Sequence, residues 1–207
     1  VALANRDGWL EFYTFSQDRG VDFGSPWLAL NFLDWWTVPS ESANLLGGGL
    51  FLLLCAGIGV LGLLSPRPSL AQLALLVVAA FAITNKVYSP QYVLWLLPLA
   101  ALARPRWPLF LLWQAAEAVY WAGVWRFLLG YGRPEASDGA LTFAQYSWVI
   151  WLHVALTVAF SGAVAYDVAR GRPGGDDPAA DVLGEGAPQS SGGSPWASRD
   201  AAISSRP

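Results

Sequence analysis

Five long apolar runs divide this chain, at residues 45–64, 69–84, 90–103, 107 to about 127 and 146 to about 168, with polar or Pro- and Arg-bearing connections between them. Their length and near absence of charge predict membrane-crossing helices rather than strands. The expected fold is therefore all-α, a polytopic membrane helix bundle of about five transmembrane helices over residues 44–169. An odd number of crossings puts the two termini on opposite sides.

Residues 1–43 are aromatic and acidic, and Gly and Pro interrupt them before any segment is long enough to span. Trp9 with Tyr13, and Phe12 with Phe15, have helical spacing, which predicts a short helix lying in the headgroup plane. Gly20 and Gly24 break it. Ser25-Pro26 then opens a second short helix carrying Trp27, Leu28, Leu30 and Leu33 towards Trp35 and Trp36, as in an aromatic belt. Together these make an N-terminal interfacial cap, after which Ser40 is the expected N-cap of the first membrane helix and Glu41 suits its positive end. From 170 to 207 the chain is Gly, Ser, Pro, Ala and Asp with few large apolar residues, a composition that predicts a disordered tail.

Arg67, Arg104, Arg106, Arg170 and Arg172 fall on one side of the predicted bundle, and Arg6, Arg19, Lys86, Arg126 and Arg133 on the other. The count is even, so the tight 104–106 loop and the acidic cap decide: the cap lies outside and the tail in the cytoplasm.

The connection from Thr84 to Tyr92 carries the candidate chemistry. The apolar segments before and after it are roughly 16 and 14 residues, reaching about 24 and 21 Å at about 1.5 Å per residue, against a hydrocarbon core about 30 Å thick. A turn between two such helices stays below the lipid surface, where irregular backbone must face protein or a wet cavity. This predicts a cavity lined by Lys86, Tyr88, Ser89, Gln91 and Tyr92, into which the Ser89-Pro90 cap points its free N–H groups and positive helix end. A lipid phosphate suits such a place. The plainer alternative is that the first helix runs on to Lys86, the bilayer thins, and the ammonium snorkels to the headgroups.

Glu117 sits inside the fourth membrane run and His153 inside the fifth, and antiparallel neighbours bring the two within reach. An ionisable group at that depth faces the bundle interior, where the pair either shapes a substrate pocket or proton relay, or holds two helices together. Arg19 and Asp22 flank Gly20 on the cap and either bind a sugar or phosphate or fix the turn as an ion pair. One His and one Glu fall short of a metal site, so no metal and no cofactor is expected.

The 207 residues are 55% hydrophobic and 13% charged, with 12 Trp. With a mean hydropathy of +0.40, they place the chain in the membrane class. The absence of Met and the opening at Val1 lead us to expect the C-terminal part of a longer protein. A single Lys among 12 basic residues, with abundant Ala, Gly and Pro, fits a GC-rich bacterial genome and hence a bacterial plasma membrane. Cys55 has no partner for a disulfide within the chain. The net charge of −3 without a basic stripe argues against nucleic acid, and no Walker loop, dinucleotide fingerprint or metalloprotease helix occurs.

Asn85-Lys86-Val87-Tyr88-Ser89-Pro90-Gln91-Tyr92, followed by an apolar helix ending Leu96-Leu97-Pro98-Leu99, resembles the C-terminal half of actinobacterial membrane glycosyltransferases of family 87, in the GT-C superfamily. Phe12-Tyr13-Thr14-Phe15-Ser16 with Arg19 to Ser25, and Glu117-Ala118-Val119-Tyr120-Trp121, are similar as well. The resemblance implies an inverting enzyme that moves a sugar, typically mannose, from a polyprenyl phosphate to a lipid or glycan acceptor at the outer membrane face. Its general base is an Asp in a first outer loop near the N-terminus of the full protein, and no residue here matches it, so no catalytic residue is expected in this chain. Two other classes fit the pattern, a transporter or lipid flippase with interrupted helices, and a structural membrane subunit.

Overall fold

The computed structural model describes residues 6–34, 36–66, 68–131, 138–172 and 174, with the backbone alone at 9, 12 and 16. The expected roles of Trp35, Arg67 and Arg133, the side chains of Trp9 and Phe12, and the tail beyond 174 lie outside the described residues.

Regular structure among these residues is helical throughout: α1 (Arg6–Asp18), α2 (Pro26–Phe32), α3 (Ser40–Leu64), α4 (Leu70–Thr84), a 3₁₀ turn at Pro90–Tyr92, α5 (Val93–Ala103), α6 (Trp107–Gly130) and α7 (Phe143–Ala169). Local chemistry sets several of these starts. Ser25 accepts the Leu28 N–H at 3.2 Å with Pro26 in the first turn. Ser69 with Gln72 and Thr142 with Gln145 form capping boxes at α4 and α7. Ser40 is not the cap of α3. Pro39 occupies that position with φ −63° and ψ 154°, Ser40 is already helical, and no side chain caps the end.

Two of the helices, α3 and α7, are long and apolar enough to cross a membrane, with mean hydropathies of 2.2 and 1.8. α4 and the Pro90–Ala103 segment are shorter apolar helices. α6 has 24 residues but includes Gln114, Glu117 and Arg126, which dilute its apolar character. By length and composition, then, two of the five expected spans are supported among the described residues.

α6 and α7 pair antiparallel: Trp113 stacks on Phe160 at 5.0 Å, Tyr120 on His153 at 4.1 Å and Phe127 on Tyr146 at 4.3 Å. α4 lies among α3, α5 and α7, and α2 packs on α7. The core has two parts, one around Tyr88, Tyr120, Phe127 and Tyr146 beneath α2, the other around Leu75, Leu96, Trp113 and Phe160. α3 stands at the edge, where Leu45, Leu53, Leu63 and Leu64 are 69% to 87% exposed. Between it and α4 and α7 runs an apolar groove of about 330 Å³, with Leu54, Ile58, Ala80 and Gly162 among its walls.

Candidate functional site

α4 ends at Thr84, and Asn85 starts the turn by accepting the Val87 N–H on its side chain at 3.1 Å. Lys86 points inward and is buried, 6% exposed. Its Nζ donates to the carbonyls of Gln17, at 2.8 Å, and Arg19, while its own carbonyl accepts the Asp22 N–H at 2.8 Å. Burial holds the Lys86 ammonium below the ordinary lysine range, with the Asp18 charge pulling the other way and Arg19 adding to the lowering.

Neighbouring groups close the same corner. Asn44 donates to the Gln17 carbonyl and Trp27 Nε1 to the Thr84 carbonyl, each at 3.0 Å. Gly47 lets α3 approach, because a Cβ there would lie 2.5 Å from the Thr84 carbonyl oxygen. What remains open is a hollow of about 210 Å³ whose polar wall is Asn44, Thr84, Asn85 and Lys86, and whose apolar wall includes Phe51 and Phe81. None of Tyr88, Ser89, Gln91 or Tyr92 lies on that wall, which corrects the expected lining. An ammonium has three donors, and the two carbonyls take two of them.

This hollow and the apolar groove share α3 as a wall: Ala43, Gly47 and Phe51 line the first and Leu54, Ile58 and Leu61 the second, while on α4 they meet different sides, Phe81, Thr84 and Asn85 against Leu76, Ala80 and Ile83.

Tyr88 turns the other way and is 2% exposed. Its hydroxyl lies 3.2 and 3.4 Å from the two Glu117 carboxylate oxygens. Thr157 Oγ1 is 3.2 Å from Glu117 Oε1 and 2.8 Å from the His153 carbonyl, and it accepts Trp113 Nε1–H at 3.1 Å. Glu117 and His153 do meet, with Nδ1 3.4 Å from Oε1. The two groups are in contact but not aligned as a hydrogen bond, and neither ring nitrogen has a hydrogen-bond partner. Tyr88 and Tyr120 face the imidazole at 4.5 and 4.1 Å. The result is a cross-brace between the turn, α6 and α7.

Of the other predicted residues Ser89 and Gln91 stand apart from both groups, whereas Tyr92 packs edge-on against Tyr88 at 5.6 Å and Arg19 and Asp22 stay with Lys86. Ser89 is the N-cap by position but its side chain makes no cap bond, Gln91 is exposed, and Tyr92 stacks on Trp95 at 4.5 Å. Arg19 and Asp22 form an ion pair at 3.2 Å, and Asp22 Oδ1 accepts the Phe23 N–H at 2.8 Å, so both serve the turn that covers Lys86.

Gln17, Asn44, Gly47, Trp113, Tyr120 and Thr157 were not anticipated as neighbours of the site. Thr157 stands one helical turn after His153 and Trp113 one turn before Glu117, a spacing that could have named them. No family model, no curated protein and no solved structure matches this chain.

Proposed function

We propose that this chain is the C-terminal membrane portion of a GT-C glycosyltransferase of the family 87 type. It takes a sugar, mannose by preference, from a polyprenyl phosphate and passes it to a glycolipid or glycan acceptor at the outer face of a bacterial plasma membrane. In this reading α3 to α7 form five crossings, the short ones beside protein, with α1 and α2 outside and the tail cytoplasmic. The observation that supports it lies along α3: a small hollow with a buried lysine on its polar side, and farther along the same helix an apolar groove. A phosphate with a long hydrocarbon tail has that distribution of polarity. The third donor of Lys86 takes a phosphate oxygen and stabilises the negative charge that grows there as the bond to the sugar breaks. The proton of the acceptor goes to an Asp supplied by another segment.

The test is sugar transfer from labelled polyprenyl phosphomannose by the full-length enzyme. Lys86→Gln keeps an amide donor for the Gln17 and Arg19 carbonyls but loses the charge, and we expect transfer to slow about 100-fold with melting little changed. A normal rate in that variant would sink the proposal. The two carbonyl ligands also favour a second reading, in which Lys86 only fastens α1 to the turn. On that reading Lys86→Gln lowers melting, and transfer falls no further than the folded fraction does.

A further inference from the structure

Asp167, near the end of α7, is buried, and three guanidinium groups converge on it. Arg104 Nε lies 3.2 Å away, Arg106 Nη1 3.0 Å from both carboxylate oxygens, and Arg172 Nη1 3.4 Å. Arg104 and Arg106 come from the connection between α5 and α6, and Arg172 from the chain just past α7. Gln72 ties α4 to the same point by donating to the Arg172 carbonyl at 3.0 Å, and the Arg172 N–H donates to the Asp167 carbonyl at 2.9 Å. One carboxylate balances one of the three charges. Among the described residues no other carboxylate pairs with these arginines.

The excess is concentrated at Arg104. Its side chain is 16% exposed, and its Nε and Nη1 are enclosed without a hydrogen-bond partner, the Nε contact with Asp167 being an attraction at an unsuitable angle. These two nitrogens are closed to solvent, but the uncompensated charge they share draws an anion to the part of the guanidinium group that is open. Arg104 and Arg106 both line a pocket of about 150 Å³ with Ala101, Pro105, Trp107 and Phe110. Trp107 is 70% exposed beside it. The pocket is mostly apolar, with two arginines at its rim, and this suits a phosphate ester whose oxygens meet the guanidinium groups while its substituent lies on the rings.

We propose that this pocket binds a phosphate group, with Arg104 and Arg106 as its ligands and Trp107 and Phe110 beside its organic substituent. The site is separate from the one at Lys86 and does not depend on the reaction proposed there. The same chemistry is offered by the headgroup of an anionic phospholipid and by free phosphate, and two arms of one experiment separate them.

The full chain is reconstituted in nanodiscs of a neutral galactolipid, which carries no phosphate, alone or with phosphatidylglycerol, and its melting is followed. In parallel, inorganic phosphate is titrated into the galactolipid discs. We expect phosphatidylglycerol to raise the melting temperature by about 5 °C. Arg104→Gln, and Arg106→Gln at a side chain 46% exposed and thus tolerant of change, should remove most of that rise. Arg126→Gln, which alters an exposed arginine bound to the Gly139 carbonyl, should keep it and so exclude a general charge effect. A rise with phosphate as well assigns the site to the free ion, and a rise with the lipid alone assigns it to the headgroup. Equal melting in both discs with no response to phosphate overturns the proposal without recourse to any variant, as does a full rise in both arginine variants.

Discussion

Glu117 shows what a buried carboxylate does when it has neighbours on two other elements. It sits on α6, receives the Tyr88 hydroxyl from the turn, and faces Thr157 and His153 on α7. Removing it would strand those groups in a closed interior and leave a cavity. Glu117→Ala should therefore cost about 2 kcal/mol, a fall of roughly 4 to 8 °C in melting for a chain of this size. Thermal melting in detergent measures it, and an unchanged midpoint would show that the brace contributes nothing. The possibility of this pair was legible, because an ionisable residue inside an apolar run must look inward and only one His was there to meet it. The burial of Lys86 was legible too, from the shortness of the helices on either side. What holds the ammonium was not: its ligands are the carbonyls of Gln17 and Arg19, and a backbone carbonyl leaves no mark in residue type.

Along the helices the boundaries fell within a few residues of the apolar runs: Pro66, Arg104, Gly130 and Arg170 stand at or just after four of the ends, whereas α4 stops at Thr84 before Asn85. The start of α3 was read one residue late because Ser40 looked like a cap, whereas Pro39 with its fixed φ makes the turn. The capping boxes at Ser69 and Thr142 lay in plain view as Ser or Thr followed three residues later by Gln. The split of the turn was harder to foresee, because alternate residues, Lys86 and Tyr88, point to different neighbours only once α1 and α7 are both in place. α3 meets this turn through Gly47, which a Cβ would drive into the Thr84 carbonyl, whereas a Cβ on Gly48 would meet nothing within 4 Å. Gly47→Ala should destabilise by about 1–3 kcal/mol, and Gly48→Ala should be neutral or stabilising by up to about 1 kcal/mol. Chemical or thermal unfolding of the two variants side by side checks this, and equal midpoints would mean that α3 does not seat on the turn.

The described residues form a bundle whose edge helix is open on one side. The apolar groups of α3 that find no partner within the described residues have to meet lipid or another chain, and Leu52, 68% exposed, marks that side. An Arg in mid-bilayer costs about 2.5–3.5 kcal/mol on insertion scales. Leu52→Arg should thus lower the yield of folded protein in the membrane fraction several-fold, and an unchanged yield would place that side of α3 in water. All-helical architecture was legible from the runs alone, but the number of helices fit to span was not, since α6 spends part of its length on polar residues that serve its neighbours.

The two ends of the bundle are fastened by different physics. Lys86, itself buried, is held by the dipoles of two backbone carbonyls, an attraction that carries no second net charge for dissolved ions to screen, whereas Asp167 gathers arginines of which two are about half exposed. Ionic strength therefore acts unequally along the molecule: salt loosens the arginine knot first and leaves the lysine latch shut.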